Sequence, residues 1–186
     1  MVGGDQKRFA GVAVALIVTS LLAGCASSSA SSNELTLAKT KSPVQLLRNE
    51  AASRVPTAIV EEVLESEDVS TSCKTEAVDP KGLVRRWKSS VLMGVENGSS
   101  WRVASVTEDI VTSFTDEGWT ASRGPASTVT VTILESEMSS ATIEVTATLP
   151  KEDKSGASIR VTTTGPCVGT DGAESTEVRK LEKRED

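Results

Sequence analysis

Carboxylates, hydroxyls and three cysteines supply most of the reactive side chains of this chain, because it contains no His. Two carboxylates about 5–9.5 Å apart can hydrolyse a glycosidic bond, one as acid and the other as base or nucleophile. The candidates are Asp109, Asp116 and Glu117, on or near one stretch of helical periodicity, and Asp171 and Glu174, beside a C-terminal turn. None of them sits in a recognisable catalytic motif, and Ser99 and Ser175 have no evident base partner in the sequence. The lack of His excludes Ser-His-Asp and Cys-His nucleophiles, His acid–base catalysis and the common His-based zinc and haem sites. A net charge of −6 opposes the basic footprint that non-specific nucleic-acid binding needs. An aromatic content of 3% leaves little surface for stacking bases or sugars. The expectation is a chain without enzymatic activity, cofactor or metal.

The cysteines divide by position. Lys7 and Arg8 precede an apolar run from Phe9 to Ala23, broken by Gly11, Thr19 and Ser20. That run is short for a membrane span, which needs about 20 apolar residues, and it reads as the apolar region of a secretory signal. It ends in Leu22-Ala23-Gly24-Cys25, which resembles a bacterial lipobox. The resemblance implies that residues 1–24 are a lipoprotein signal peptide and that Cys25 carries a diacylglyceryl thioether as the mature N-terminus. Several acyl chains together anchor a protein stably, at about 0.8 kcal/mol per buried CH₂. Losing Asp5, Lys7 and Arg8 with the signal moves the net charge from −6 to −7. Residues 26–33 are Ser- and Ala-rich, and 25–42 read as a lipidated flexible tether. Cys73 and Cys167 remain. In an exported chain an even pair reads as a disulfide. A metal pair or a reactive thiol is the alternative, weakened by the wide spacing and the missing His.

These residues need elements to position them, and residues 43–186 read as one α+β domain. Ser42-Pro43 is a helix start, an N-cap followed by Pro at the first helical position, with Val44, Leu47 and Ala51 at helical spacing. This predicts a helix over 43–54, stopped by Pro56. Residues 58–64 are ambiguous between helix and strand, and Glu61, Glu62, Glu65, Glu67 and Asp68 read as a solvated acidic face and turn. Asp79-Pro80-Lys81-Gly82 is a turn. A strand follows over 83–95, with Trp87, Val91, Met93 and Val95 facing inward. Arg85 breaks that inward set and is expected at the strand end. Arg85, Arg86 and Lys88 form a small basic patch that reads as a solvated edge.

Asn97-Gly98 is a turn, and Trp101 is expected to pack at a helix entry. Val103, Val106, Ile110 and Phe114 recur at helical spacing, predicting a helix over about 102–117. Ser105 to Glu108 would make a capping box that starts it near 106 instead. Gly118 is the expected left-handed residue at its end, and Trp119 enters a strand. Three alternating runs then read as a meander. Val129, Val131 and Ile133 alternate with Thr, as do Ala141 to Leu149 and Ala157 to Thr163 with mostly polar residues. The predicted fold is a two-layer α+β domain. Its mostly antiparallel sheet has four to five strands, with helices on its apolar face and Thr on the other. A charged C-terminal tail holds a short helix with Val178 and Leu181.

The run Val161-Thr162-Thr163-Thr164-Gly165-Pro166-Cys167-Val168-Gly169-Thr170-Asp171-Gly172, with Glu174, Ser175, Glu177, Val178, Leu181 and Glu182 after it, resembles the C-terminal signature of a family of small actinobacterial cell-envelope lipoproteins of uncharacterised function. Gln45-Leu46-Leu47-Arg48 leading to Arg54-Val55-Pro56 is similar to another part of that family. So is the stretch from Cys73 through Val84-Arg85-Arg86-Trp87 to Glu117-Gly118-Trp119. Together they span most of 41–182 in order. Thr71-Ser72 stands where the pattern has two aliphatic residues. The resemblance implies compartment, anchor and architecture, and brings no catalytic residues. It fits a non-catalytic binding or scaffolding module on the outer face of the cell membrane, touching an envelope protein or a wall polymer and no nucleic acid. The alternatives are a carboxylate-dependent envelope hydrolase and a purely structural surface lipoprotein.

Overall fold

The computed structural model describes residues 35–96, 100–125, 127–150 and 156–183, without the side chains of residues 100 and 101. Helix α1 spans Leu37–Ser53, and a 3-10 turn at Thr57–Ile59 leads into β1, Val60–Ser72. Strand β2, Val84–Val95, precedes helix α2, Ser100–Asp116. Then come β3, Thr120–Arg123, β4, Val129–Ser136, β5, Ser139–Thr148, β6, Ser158–Thr164, and β7, Val168–Gly169. Helix α3, Thr176–Leu181, closes the described chain. Among the described residues the sheet has seven strands in the order β1-β2-β6-β5-β4-β3, with β7 beside the start of β2. Each pairing is antiparallel. The α+β class and the meander therefore hold, and the expected count of four to five strands is too small.

The two extra strands have separate causes. β7 is two residues long and carries no periodicity to read. β1 is long but lies at the sheet edge, paired only with β2, so most of its residues are exposed and its acids need no inward alternation. Glu61, Glu62, Glu65 and Glu67 are therefore not a turn. They lie on an edge strand whose register shifts between Val60 and Glu62 and again between Val63 and Glu65. Charges and irregular register are features that discourage edge-to-edge pairing with other chains.

Helix α1 begins six residues before the expected start. Thr36 is its N-cap, with its hydroxyl accepting from the Lys39 N–H, and Pro43 sits inside the helix. The buried stripe runs Leu37, Thr40, Val44 and Ala51, so it begins before the proline. Leu37 packs with Trp87 and Val178, and that burial outweighs the missing N–H at Pro43. Residues 37–42 belong to the helix and not to a tether. Helix α2 starts by Ser100, so Ser105 to Glu108 is not a capping box. Thr107 is buried inside the helix and donates to the Val103 carbonyl. Its end follows expectation. Gly118 has φ +91°, its N–H donates to the Thr115 carbonyl, and the Trp119 N–H donates to the Phe114 carbonyl. This is the Schellman arrangement, accompanied by edge-to-face contact of the Phe114 and Trp119 rings at 5.5 Å.

Both long helices cover one face of the sheet. Ala51, Val55, Val103, Ile110, Val111 and Phe114 share a core with Val91, Met93, Ile143, Val145, Ile159 and Val161. Arg54 ties the helices together, with Glu117 at 2.7 Å, Glu50 at 2.9 Å, a hydrogen bond to Ser113 Oγ and its guanidinium 3.6 Å from the Phe114 ring centre. The inward faces of β2, β5 and β6 match expectation. β4 is inverted. Thr132 is 2% exposed and Leu134 is fully buried, while Val129 is 44% exposed. Thr132 pairs with Val145 and Leu134 with Ile143, so the register puts the Thr130-Thr132-Leu134 set under α2. A one-residue difference in phase exchanges the faces, and Thr alternating with Val does not identify the inner set.

Candidate functional site

The described residues form a groove of about 370 Å³ between the outer side of α1 and the beginning of β5. Such a volume is within the range of small-ligand sites, about 300–1,000 Å³. Helix α1 provides Pro43, Val44, Leu46 and Leu47, and Ala141 and Pro166 form part of the opposite wall. Leu35, just before the helix, also lines it. The offset of Leu46 from the buried stripe explains its position. It points away from the core and is 64% exposed. Ser139, Ser140, Lys39 and Glu50 supply the polar parts of the lining.

Backbone contacts hold this groove open and in place. Thr163 Oγ1 donates to the Val44 carbonyl at 2.7 Å, fixing α1 on β6. Gly165 lies so close that a Cβ there would be 2.9 Å from Val44 Cγ2. Under the groove, Val44 and Ala141 pack with Trp87, which is fully buried. Thr40 Oγ1 donates to the Leu37 carbonyl, and Ser139 Oγ accepts from the Ala141 N–H. Thus the Thr40 hydroxyl donates, and the Ser139 hydroxyl oxygen accepts, within the protein.

The sequence-derived candidates are distributed as follows. Cys73 and Cys167 are joined as a disulfide with a Cα separation of 6.2 Å. Cys73 follows β1 and Cys167 precedes β7, so the bridge joins the two segments bordering the start of β2. Cys25, Ser99 and the side chain of Trp101 lie outside the described residues. Trp87 is core as expected, and Trp119 is half-buried against Phe114. Asp109, Asp116 and Glu117 are exposed, with Glu117 paired to Arg54. Asp171 and Glu174 line a separate concavity of about 560 Å³ with Pro80, Lys81 and Ser175. Asp109 and Asp116 of α2 and Glu117 just after it do not line it. Among the described residues no group of three or more His, Cys, Asp or Glu could hold a metal ion. No helix there is long and apolar enough to cross a membrane.

Arg85 does not belong to a surface basic patch. It is buried, and its guanidinium donates to Ser70 Oγ at 2.8 Å and to the Ser70 carbonyl at 2.7 Å. Ser70 in turn donates its hydroxyl and its N–H to Glu182, at 2.6 and 2.8 Å. The charge is solvated by this fixed network instead of water, which makes its burial tolerable. Lys88 pairs with Glu67 at 3.5 Å, and Arg86 is exposed.

The expected turn at Asp79 is present and organises the loop before β2. The Gly82 N–H donates to the Asp79 carbonyl, and Gly82 has φ +62°. The Asp79 carboxylate accepts from the N–H groups of Leu83 at 2.9 Å and Val84 at 2.8 Å. These hydrogen bonds hold its pKa below the ordinary aspartate value of 3.8. A carboxyl with a lowered folded-state pKa stabilises the fold fully above its ordinary value and loses that effect as pH falls through the lowered one. Asp79→Asn should therefore destabilise the protein at pH 7 and differ progressively less from the parent as the pH drops below the ordinary aspartate range. Thermal melts of both proteins from pH 7 to pH 2 measure the narrowing gap, and a gap independent of pH would contradict the assignment.

Comparison with known proteins adds little to this geometry. No family model matches the sequence, and no curated protein does. A solved structure of the lipoprotein LppA from Mycobacterium tuberculosis is similar, at 12% identity and a TM-score of 0.42, covering 81% of this chain and 83% of that one. At that level the similarity carries no argument about the fold or function of this chain.

Proposed function

We propose that this protein is a lipid-anchored, non-catalytic binding module on the outer face of the cell membrane, with the α1 groove as its binding site. The observation that carries the reading is Leu22-Ala23-Gly24-Cys25 at the end of the apolar run from Phe9. The Cys73–Cys167 disulfide supports export, because such bonds persist in oxidising compartments. The resemblance of 41–182 to envelope lipoproteins points the same way. The groove favours binding over coating, since it is a concave, largely apolar site walled by several elements. Of the carboxylates considered for hydrolysis only Asp171 and Glu174 share a concavity, so the hydrolase reading rests on that pair alone. Asp109, Asp116 and Glu117 are not part of it.

The experiment is a Cys25→Ser chain expressed in a bacterial host fed an alkyne analogue of palmitate. The parent should be labelled and sediment with membranes. The variant should lose the label and shift its distribution away from that of the parent. Equal labelling of the two would end the anchoring proposal.

A further inference from the structure

We propose that the α1 groove holds one acyl chain of a bilayer lipid, so that this face of the domain rests against the membrane. The proposal deepens the anchoring reading and rests on it. The first argument is reach. Nine residues, 26–34, lie between Cys25 and Leu35, ten Cα steps in all, and Leu35 itself lines the groove. A chain of ten residues spans at most roughly 35 Å when fully extended. A groove that opens at the anchored end of the domain is thus within about one bilayer thickness of the lipidated cysteine.

The second argument is chemistry. Peptides and sugars carry polar groups that must find partners when they lose water. The groove sets Lys39, Thr40, Glu50, Ser139 and Ser140 among seven apolar lining residues, and most of these polar groups are already engaged. Thr40 donates its hydroxyl to the Leu37 carbonyl, Ser139 Oγ accepts from the Ala141 N–H, Glu50 pairs with Arg54, and the Val44 carbonyl accepts from Thr163. The buried polar atoms that lack a hydrogen-bond partner among the described residues belong to Arg48, Asp68, Trp87, Ser89 and Ser90, none of which lines the groove. An acyl chain makes no demand for such partners and gains from contact with Leu35, Pro43, Leu46, Leu47 and Pro166.

The third argument is the surrounding surface. Leu35 and Leu46 are exposed, and Met138, one residue before Ser139 of the groove wall, is 87% exposed. Apolar residues at the mouth of an apolar groove enter a bilayer interface at low cost, whereas facing water they are unfavourable. The net charge of −7 in the mature chain makes electrostatic attraction to an anionic leaflet a poor source of contact. Apolar insertion next to the anchor supplies it instead.

The test uses the chain purified from the membranes of its bacterial host and reconstituted in phosphatidylcholine vesicles, where the phospholipid carries a diazirine in its acyl chain. Irradiation and peptide mapping should place crosslinks on the α1 segment and on residues 138–141. The label is on the phospholipid, so the acyl chains of Cys25 contribute nothing to it. Leu46→Glu should lower crosslinking at these sites at least tenfold. Val63→Glu, at a position 60% exposed on the edge strand β1, should leave it within twofold. A chain that floats with the vesicles but is not crosslinked at the groove keeps its anchor and overturns this inference. So does equal crosslinking in both variants. A chain that does not float overturns the anchoring reading. The groove is then read on that chain with the free diazirine fatty acid in solution, where an unlabelled α1 segment overturns the inference.

Discussion

Replacing both Cys73 and Cys167 with Ser is expected to destabilise the protein by about 2–5 kcal/mol. The two positions are separated by 94 in sequence, and the loop-entropy relation gives about 4.5 kcal/mol for a ring of that size. The location strengthens the expectation. β7 has only two residues and pairs only with the start of β2. Without the bridge its pairing with Val84 and Arg85 rests on those residues and the packing of Val168. Part of the loss should therefore be local, in β7 and α3, before the global transition. Denaturant unfolding with and without reductant gives the size, and hydrogen exchange gives the location. At about 2–4 °C per kcal/mol for a domain of this length, the shift in Tm is easily read. A reduced protein as stable as the oxidised one would mean that the bridge stabilises nothing.

Trp87→Ala is expected to cost about 3–5 kcal/mol, the range for removing a fully buried aromatic side chain. Trp87 joins pieces that are distant in sequence. Leu37 and Val44 of α1, Ala141 of β5, Val168 of β7 and Val178 of α3 pack with it in one cluster. The ammonium of Lys41 lies 4.6 Å from its ring centre and donates to the Leu181 carbonyl, adding a cation–π contact and a link to α3. Trp87→Phe keeps an aromatic face for Lys41 and should lose less than Trp87→Ala. Urea unfolding of both variants orders them. The Ala variant should also distort the groove, because Val44 and Ala141 form its wall and pack on Trp87. A loss under about 1 kcal/mol would contradict the packing.

The legible parts of the fold have a common character. The α2 stripe, the Gly118 terminus, the inward set of β2 and the alternation of β5 and β6 each carry a strong local period or a residue of special conformational freedom. The parts that were not legible depend on neighbours. Ser42-Pro43 resembles a helix start, yet α1 begins at Leu37 because Leu37 has Trp87 and Val178 to pack on. The alternation in β4 points Val129, Val131 and Ile133 inward, but Ile143 and Val145 select the set containing Leu134. Arg85 looks like a surface base until Ser70 supplies two acceptors beside it. The groove is invisible for the same reason. Its walls come from residues 35–50, from 139–141 and from Pro166, and a tether over 25–42 leaves Leu35, Lys39 and Thr40 out of the first of them.

The sequence by itself determined the chemistry that is absent and the pairing of what remains. With no His, and with Cys25 read as a lipid anchor, Cys73 and Cys167 are left as an even pair, and they are bonded. Those inferences depend on residue types and local order, which the chain carries directly. Only the tertiary structure decided where α1 starts, which face of β4 is inside, what hydrogen-bonds the buried Arg85 and where a concave site lies. Each of these is a choice between local conformations of similar energy, and burial against residues far along the chain makes the difference.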